Sequence, residues 1–147
     1  MEVTVQNRQK KRRVRPEKAK KMAERILSDL GHHESELSIL LVDDDEITYF
    51  NRHYLSRNHA TNVLAFAMRE GEEKQLHPNI LGDVVISTET AQREARQRGV
   101  TLDEEMALLL VHGVLHLLGY EHESVPEEAA TMEAKEQEIL ARLGFGE

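Results

Sequence analysis

The first residues, Met1 to Gln6, alternate apolar and polar side chains, the period of a half-buried strand. Pro16 suits the first turn of a helix, and Ala19, Met22, Ala23, Ile26, Leu27 and Leu30 then recur at helical spacing up to Gly31. Leu37 to Val42 is nearly continuous in its apolar character and predicts a well-buried second strand. Asp43 to Glu46 offers caps and first-turn acidity for a helix carrying Ile47, Phe50, Asn51 and Tyr54. Asn62 to Met68 predicts a third strand, Arg69 to Asn79 a polar loop, and Ile80 to Ser87 a fourth strand. Thr88 is positioned to cap the next helix, which runs to Gly99.

Thr101-Leu102-Asp103-Glu104 has the form of a capping box. The helix it opens is apolar on almost every face from Met106 to Leu118, so it should be central to the core. A second such box, Ser124-Val125-Pro126-Glu127, opens a last helix reaching Leu143. The order of elements predicts an α+β fold: one domain over residues 1–147, with a mixed sheet of about four strands packed against about five helices.

Composition narrows the function. At 147 residues with 39% hydrophobic and 31% charged side chains, the chain can bury the core of one domain. It has no cysteine, which excludes thiolate chemistry, thiolate-liganded metal sites and any disulfide-linked partner. The longest apolar stretch, Met106 to Val111, falls far short of the roughly 20 residues of a membrane span. The charged N-terminus is not expected to be a secretory signal, and the lack of cysteine fits the cytoplasm. Aromatic residues make up only 4%, which argues against a base-stacking platform of the usual kind.

The net charge of −8 speaks against nucleic acid, but its distribution does not. Residues 1–21 hold nine basic and two acidic side chains, while the rest of the chain holds 10 and 25. Lys10, Lys11, Arg12, Arg13 and Arg15 are therefore candidate contacts to nucleic-acid phosphates. Taken alone, the same charges are better explained as keeping a loop and a helix start solvated.

The chemistry concentrates in His112-Gly113-Val114-Leu115-His116-Leu117-Leu118-Gly119-Tyr120-Glu121-His122. Residues four apart on a helix differ by about 40° and 6 Å, so His112 and His116 can donate to one cation. Gly119 can end the helix in a left-handed turn, which lets His122 approach the same ion from a third side. Three imidazoles with no thiolate available describe an open zinc-type site on the central helix and the turn after it. One Zn²⁺ per chain is expected, with another transition metal such as nickel also compatible. The five other histidines, His32, His33, His53, His59 and His77, read as surface residues.

The spacing is shared with metzincin peptidases, which carry a catalytic Glu directly after the first His. Here that residue is Gly113. Glu121 could substitute as a base or could orient a ligand. A phosphodiester makes lighter demands, because metal and cations can stabilise the charge that develops on its oxygens. A peptidase, and a non-catalytic protein with a structural metal, remain the alternatives.

The histidine segment closely resembles the signature of the bacterial YbeY endoribonuclease family. Thr61-Asn62-Val63-Leu64-Ala65-Phe66, Leu81-Gly82-Asp83-Val84-Val85-Ile86 and Asn51-Arg52-His53-Tyr54 resemble three further stretches of that family. The resemblance implies a cytoplasmic, metal-dependent endoribonuclease acting on single-stranded RNA, with the ion on His112, His116 and His122. It further implies maturation of the 3′ end of small-subunit ribosomal RNA, ribosome quality control, and partners among small-subunit proteins and a ribosome-assembly GTPase. The chain departs from the family pattern at Leu55, which stands where the family has an active-site Arg. Arg57, two positions on, is the nearest replacement, though a helix end would aim it differently. Ala60, Ala65, Ala67 and Glu121 are further departures. Asp83 faces either a cleft toward the metal or a neighbouring amide and solvent, and Asn62 either the cleft or its own turn.

Overall fold

Alternation along the strands decides which side of the sheet each residue buries. The computed structural model describes residues 1–68, 79–120 and 126–145. Its elements are β1 (Glu2–Asn7), α1 (Pro16–Asp29), β2 (Glu36–Val42), α2 (Asp44–Leu55), β3 (Val63–Ala67), β4 (Ile80–Ser87), α3 (Thr88–Arg98), α4 (Leu102–Leu117) and α5 (Pro126–Arg142). The predicted polar loop, with His77, falls mostly on residues 69–78; these, and Ser124 and Val125 of the second capping box, lie outside the described residues.

The sheet has the order β1-β2-β4-β3. β1, β2 and β4 run parallel, and β3 is antiparallel to β4 at the edge. The expected mixed α+β fold is therefore observed. One sheet face presents Val3, Leu37, Ile39, Leu41, Val84 and Ile86 to α1 and α4, and α5 packs on α4. The opposite face presents Val42, Leu64 and Val85 to Ile47 of α2. This explains the nearly continuous apolar run of β2, interrupted only by Ser38: a central strand is buried on both sides, so its polarity need not alternate. Helix α4 touches the sheet, α1, α3 and α5, which accounts for its apolar character all round. Burying each of its large side chains, such as Leu110 and Leu115, contributes about 1.5–3 kcal/mol. Among the described residues, no helix is long and apolar enough to cross a membrane.

The helix starts follow their caps, with one correction. The Asp43 carboxylate accepts from the Glu46 amide at 2.9 Å, and the Thr101 hydroxyl accepts from the Glu104 amide at 3.1 Å. At α3, however, the cap is Ser87 rather than Thr88; its hydroxyl accepts from the Thr90 amide at 3.3 Å. Strand β4 runs straight into α3 without a loop, so the cap is the last strand residue and Thr88 is already helical.

The starts of α2 and α3 are fastened together at Asp44. Its carboxylate accepts from the Ser87 and Thr90 hydroxyls, each at 2.6 Å, and pairs with Arg93 at 2.9 Å. Burial pushes this carboxyl up, but the hydrogen bonds from Ser87, Thr90 and Arg93 and the charge of Arg93 outweigh it and hold the group below its ordinary 3.8. A lowered folded value means that the stabilisation is complete above the unfolded value and is lost as pH falls through the folded one. Asp44→Asn is expected to lower stability at neutral pH by about 1 kcal/mol in urea titrations. The gap to wild type should close below about pH 4. A gap that persists unchanged in acid would show that the charge does not matter.

Candidate functional site

Helix α4 is held so close to the sheet that one of its positions tolerates no side chain. A Cβ at Gly113 would lie 2.8 Å from Cγ1 of Val84 on β4. Successive helix residues are rotated by about 100°, so packing Gly113 against the sheet turns His112 and His116 outward along the flank. This also bears on the chemistry. The position that holds the base in metzincin peptidases points here into the core, and Glu cannot fit there without displacing Val84.

The two histidines face each other. Their Nε2 atoms are 3.1 Å apart. On α5, Glu136 lies 3.0 Å from Nδ1 of His112 through one carboxylate oxygen. A carboxylate can only accept, so Nδ1 of His112 carries the proton and the lone pair of the neutral ring sits on Nε2. That tautomer is the one a metal requires, and a carboxylate behind a ligating imidazole is the usual support for it. Two zinc–nitrogen bonds span at most roughly 4 Å, so the observed separation lies within reach of a single ion. Sequence reading missed Glu136, because 24 residues separate it from His112 and no spacing rule links neighbouring helices.

After Leu118 the chain turns sharply. Gly119 has φ +94°, and the amides of Gly119 and Tyr120 donate to the carbonyls of His116 and Leu115, each at 3.0 Å. The left-handed turn expected of Gly119 is therefore present. Glu121 and His122 lie beyond it, outside the described residues. Among the described residues, no group of three or more His, Cys, Asp or Glu is arranged to hold a cation.

His112 and His116 open onto a cleft of about 290 Å³, whose other walls include Asn51, Arg57, His59 and Asn62. Arg57 gets there because Ser56 caps α2 in a left-handed conformation, φ +56°. The amide of Arg57 then donates back to the Asn51 carbonyl at 3.2 Å, which bends the chain toward α4. Arg57 therefore lines the cleft although it lies past the helix end, and the non-glycine αL residue that puts it there is not visible in the sequence pattern. His59, expected at the surface, is exposed but also lines this cleft. Its Nδ1 donates to the Ala60 carbonyl at 3.0 Å, leaving the lone pair on Nε2. Buried Asn51 fixes this segment by donating to the His59 carbonyl at 3.0 Å. Asn62 does both things expected of it: it lines the cleft, and its side-chain oxygen accepts from the Val63 amide at 2.7 Å.

Other candidates are placed elsewhere. Asp83 pairs in register with Ser38 and Phe66, on the sheet face opposite α4, so it does not face the histidines. Arg12, Arg13 and Arg15 line a separate cavity of about 570 Å³ with Asp103 and Met106, at the start of α4. Nine residues of helix, about 14 Å, separate Asp103 from His112. Lys11 pairs with Glu89 at 3.4 Å, and Lys10 is exposed. The basic segment therefore does not enter the histidine cleft.

A larger cavity of about 600 Å³ also borders His112, and its charged lining is Glu94, Glu105, Glu133 and Glu136 against the single Arg98. Glu105 is buried and paired with Arg98. Burial pushes its carboxyl above the ordinary 4.5, with Arg98 opposing and Glu94 adding to the rise. Such a lining repels a polyanion, so a phosphate would approach His112 from the Arg57 side.

Known proteins resemble this chain over nearly its whole length. A family model described as endoribonuclease YbeY matches residues 4–144. The chain is 50% identical over 142 residues to an endoribonuclease YbeY of Syntrophotalea carbinolica, covering 96% of this chain and 95% of that protein. It is 47% identical over 134 residues to the Aquifex aeolicus protein of the same name, covering 91% and 87%. The solution structure of a Thermotoga maritima protein shares the fold, with a TM-score of 0.69 at 23% identity, covering 96% and 88%.

If the histidines hold zinc and Glu136 orients His112, Glu136→Ala should weaken zinc binding about 10- to 100-fold in a competition titration with a chromogenic chelator. Circular dichroism should stay unchanged, and Glu138→Gln on the same helix should bind as wild type. Equal zinc affinity in Glu136→Ala would remove the carboxylate from the site.

Proposed function

The chain belongs to the YbeY endoribonuclease family, and on that premise we propose that it is a metal-dependent endoribonuclease that cleaves single-stranded RNA. We assign its task to maturing the 3′ end of small-subunit ribosomal RNA and to ribosome quality control. Its partners are then the small ribosomal subunit and its assembly factors, among them a ribosome-assembly GTPase, and its place is the cytoplasm. The resemblance of the three sequence stretches and the histidine signature supports these assignments.

The observation that carries the nuclease reading is the 3.1 Å approach of the His112 and His116 Nε2 atoms on the wall of a cleft that Arg57 also lines. His112, His116 and His122 would hold one zinc-type ion, which supplies Lewis acidity toward a phosphodiester and toward water. Glu136 keeps His112 in the ligating tautomer. Arg57 provides a fixed positive charge for the non-bridging oxygens as charge builds on them. Asn51 holds the segment between Ser56 and Asn62 in place by its bond to the His59 carbonyl. Gly113 leaves no room for the base that a peptidase of this spacing uses, which favours phosphodiester over peptide.

The test is cleavage of labelled single-stranded RNA, and separately of unfolded casein, by zinc-loaded protein. His116→Ala should abolish RNA cleavage and leave the protein folded, and Arg57→Ala should slow cleavage on the order of 100-fold. Chelation should stop the reaction and zinc should restore it. Cleavage of casein alone would establish a peptidase. A His116→Ala protein that unfolds or loses ribosome binding, with no cleavage by wild type, would establish a structural metal.

A further inference from the structure

Three of the exposed large apolar side chains, Tyr49, Tyr54 and Leu55, lie on α2 between its midpoint and its C-terminal end, at 47%, 60% and 45% exposure. The rings there are ordered against each other. Tyr49 and His53 stack at 5.3 Å with 10° between their planes. Tyr54 lies near-parallel to Phe50 at 6.0 Å and 20°, and meets Phe66 of β3 edge-on at 5.6 Å. Phe50 and Phe66 are half-buried in the small core beneath α2, so they act as a floor that fixes the outer rings. Four of the chain's six Tyr and Phe residues are gathered here. The 4% aromatic content predicted no such platform, because composition counts rings and takes no account of where the fold places them.

Charge on α2 is polarised in the same direction. Its acidic residues, Asp44, Asp45 and Glu46, all lie in the first turn, and Arg52 and His53 lie in the last. Arg57 follows Tyr54 by three residues and lines the histidine cleft. Flat exposed rings flanked by guanidinium groups suit a ligand that presents π-faces and phosphates together. Unpaired bases of a single strand do so, whereas a duplex keeps its faces stacked inside.

We propose that Tyr49, His53 and Tyr54 form a stacking ledge for unpaired bases of single-stranded RNA, with Arg52 and Arg57 holding the phosphates and leading the strand to the histidine cleft. This rests on the nuclease reading above and adds a binding subsite to it. Phe50 and Phe66 hold the Tyr54 ring in place before the RNA arrives, so little side-chain freedom is lost on binding.

The test is fluorescence anisotropy with a short labelled polyuridine RNA and with an abasic strand of the same length, over a range of salt concentrations. Tyr54→Ala is expected to weaken polyuridine binding roughly tenfold, with the salt dependence unchanged, and to leave the abasic strand unaffected. Tyr54→Phe should bind as wild type. Arg52→Ala should instead flatten the log–log salt slope by about 0.7. Wild-type affinity for polyuridine in Tyr54→Ala, or equal weakening toward the abasic strand, overturns the ledge. So does a Tyr54→Ala protein that loses only its binding to a ribosomal protein. If Tyr54→Ala binds polyuridine normally while wild type cuts RNA, the ledge alone fails. If wild type neither binds nor cuts RNA, the nuclease reading fails with it.

Discussion

Two imidazole nitrogens held 3.1 Å apart govern the rest of this structure. Such an approach arises from constraints on three sides. Gly113 lets α4 sit against Val84, which fixes the rotation of the helix and so the direction of His112 and His116. Glu136 on α5 holds the proton on the far nitrogen of His112, so that the lone pair of the near one is directed at His116. The turn at Gly119 ends the helix within one turn of His116 and folds the chain back. These constraints lie on separate elements, so the site depends on the packing of the whole α4 face.

Electrostatics then gives the site a direction. His112 forms a wall shared by two cavities, one lined by four glutamates and the other by Arg57 and His59. Unit charges of like sign about 4 Å apart repel by roughly 1 kcal/mol in bulk water and about 4 near a protein surface. The acidic side is thus unfavourable to a polyanion and the Arg57 side favourable. The net charge of −8 is compatible with an RNA substrate because charge is sorted locally.

Much of the fold could be read from the sequence, because it depends on period and caps. Strands, helices and most of their starts follow from alternation, helical recurrence and capping residues such as Asp43 and Thr101. The pair His112 and His116 was also readable, since one helix sets their spacing. What escaped depends on contacts between elements or on single unusual backbone angles. Glu136 reaches His112 from another helix, and Arg57 and His59 reach the cleft through a left-handed Ser56. Asp83 kept two readings until strand register placed it on the face opposite α4. The basic run at Lys10 to Arg15 had a compositional signal, yet α1 and α4 carry it away from the histidines.

Convergence of the three motif imidazoles on one cation is tested most directly by anomalous scattering at the zinc edge, from crystals of the untreated protein. One peak is expected within bonding distance of Nε2 of both His112 and His116, with His122 as the third protein donor and one position left open. A map with no peak between the two rings, or a fourth side chain closing the coordination, would refute it.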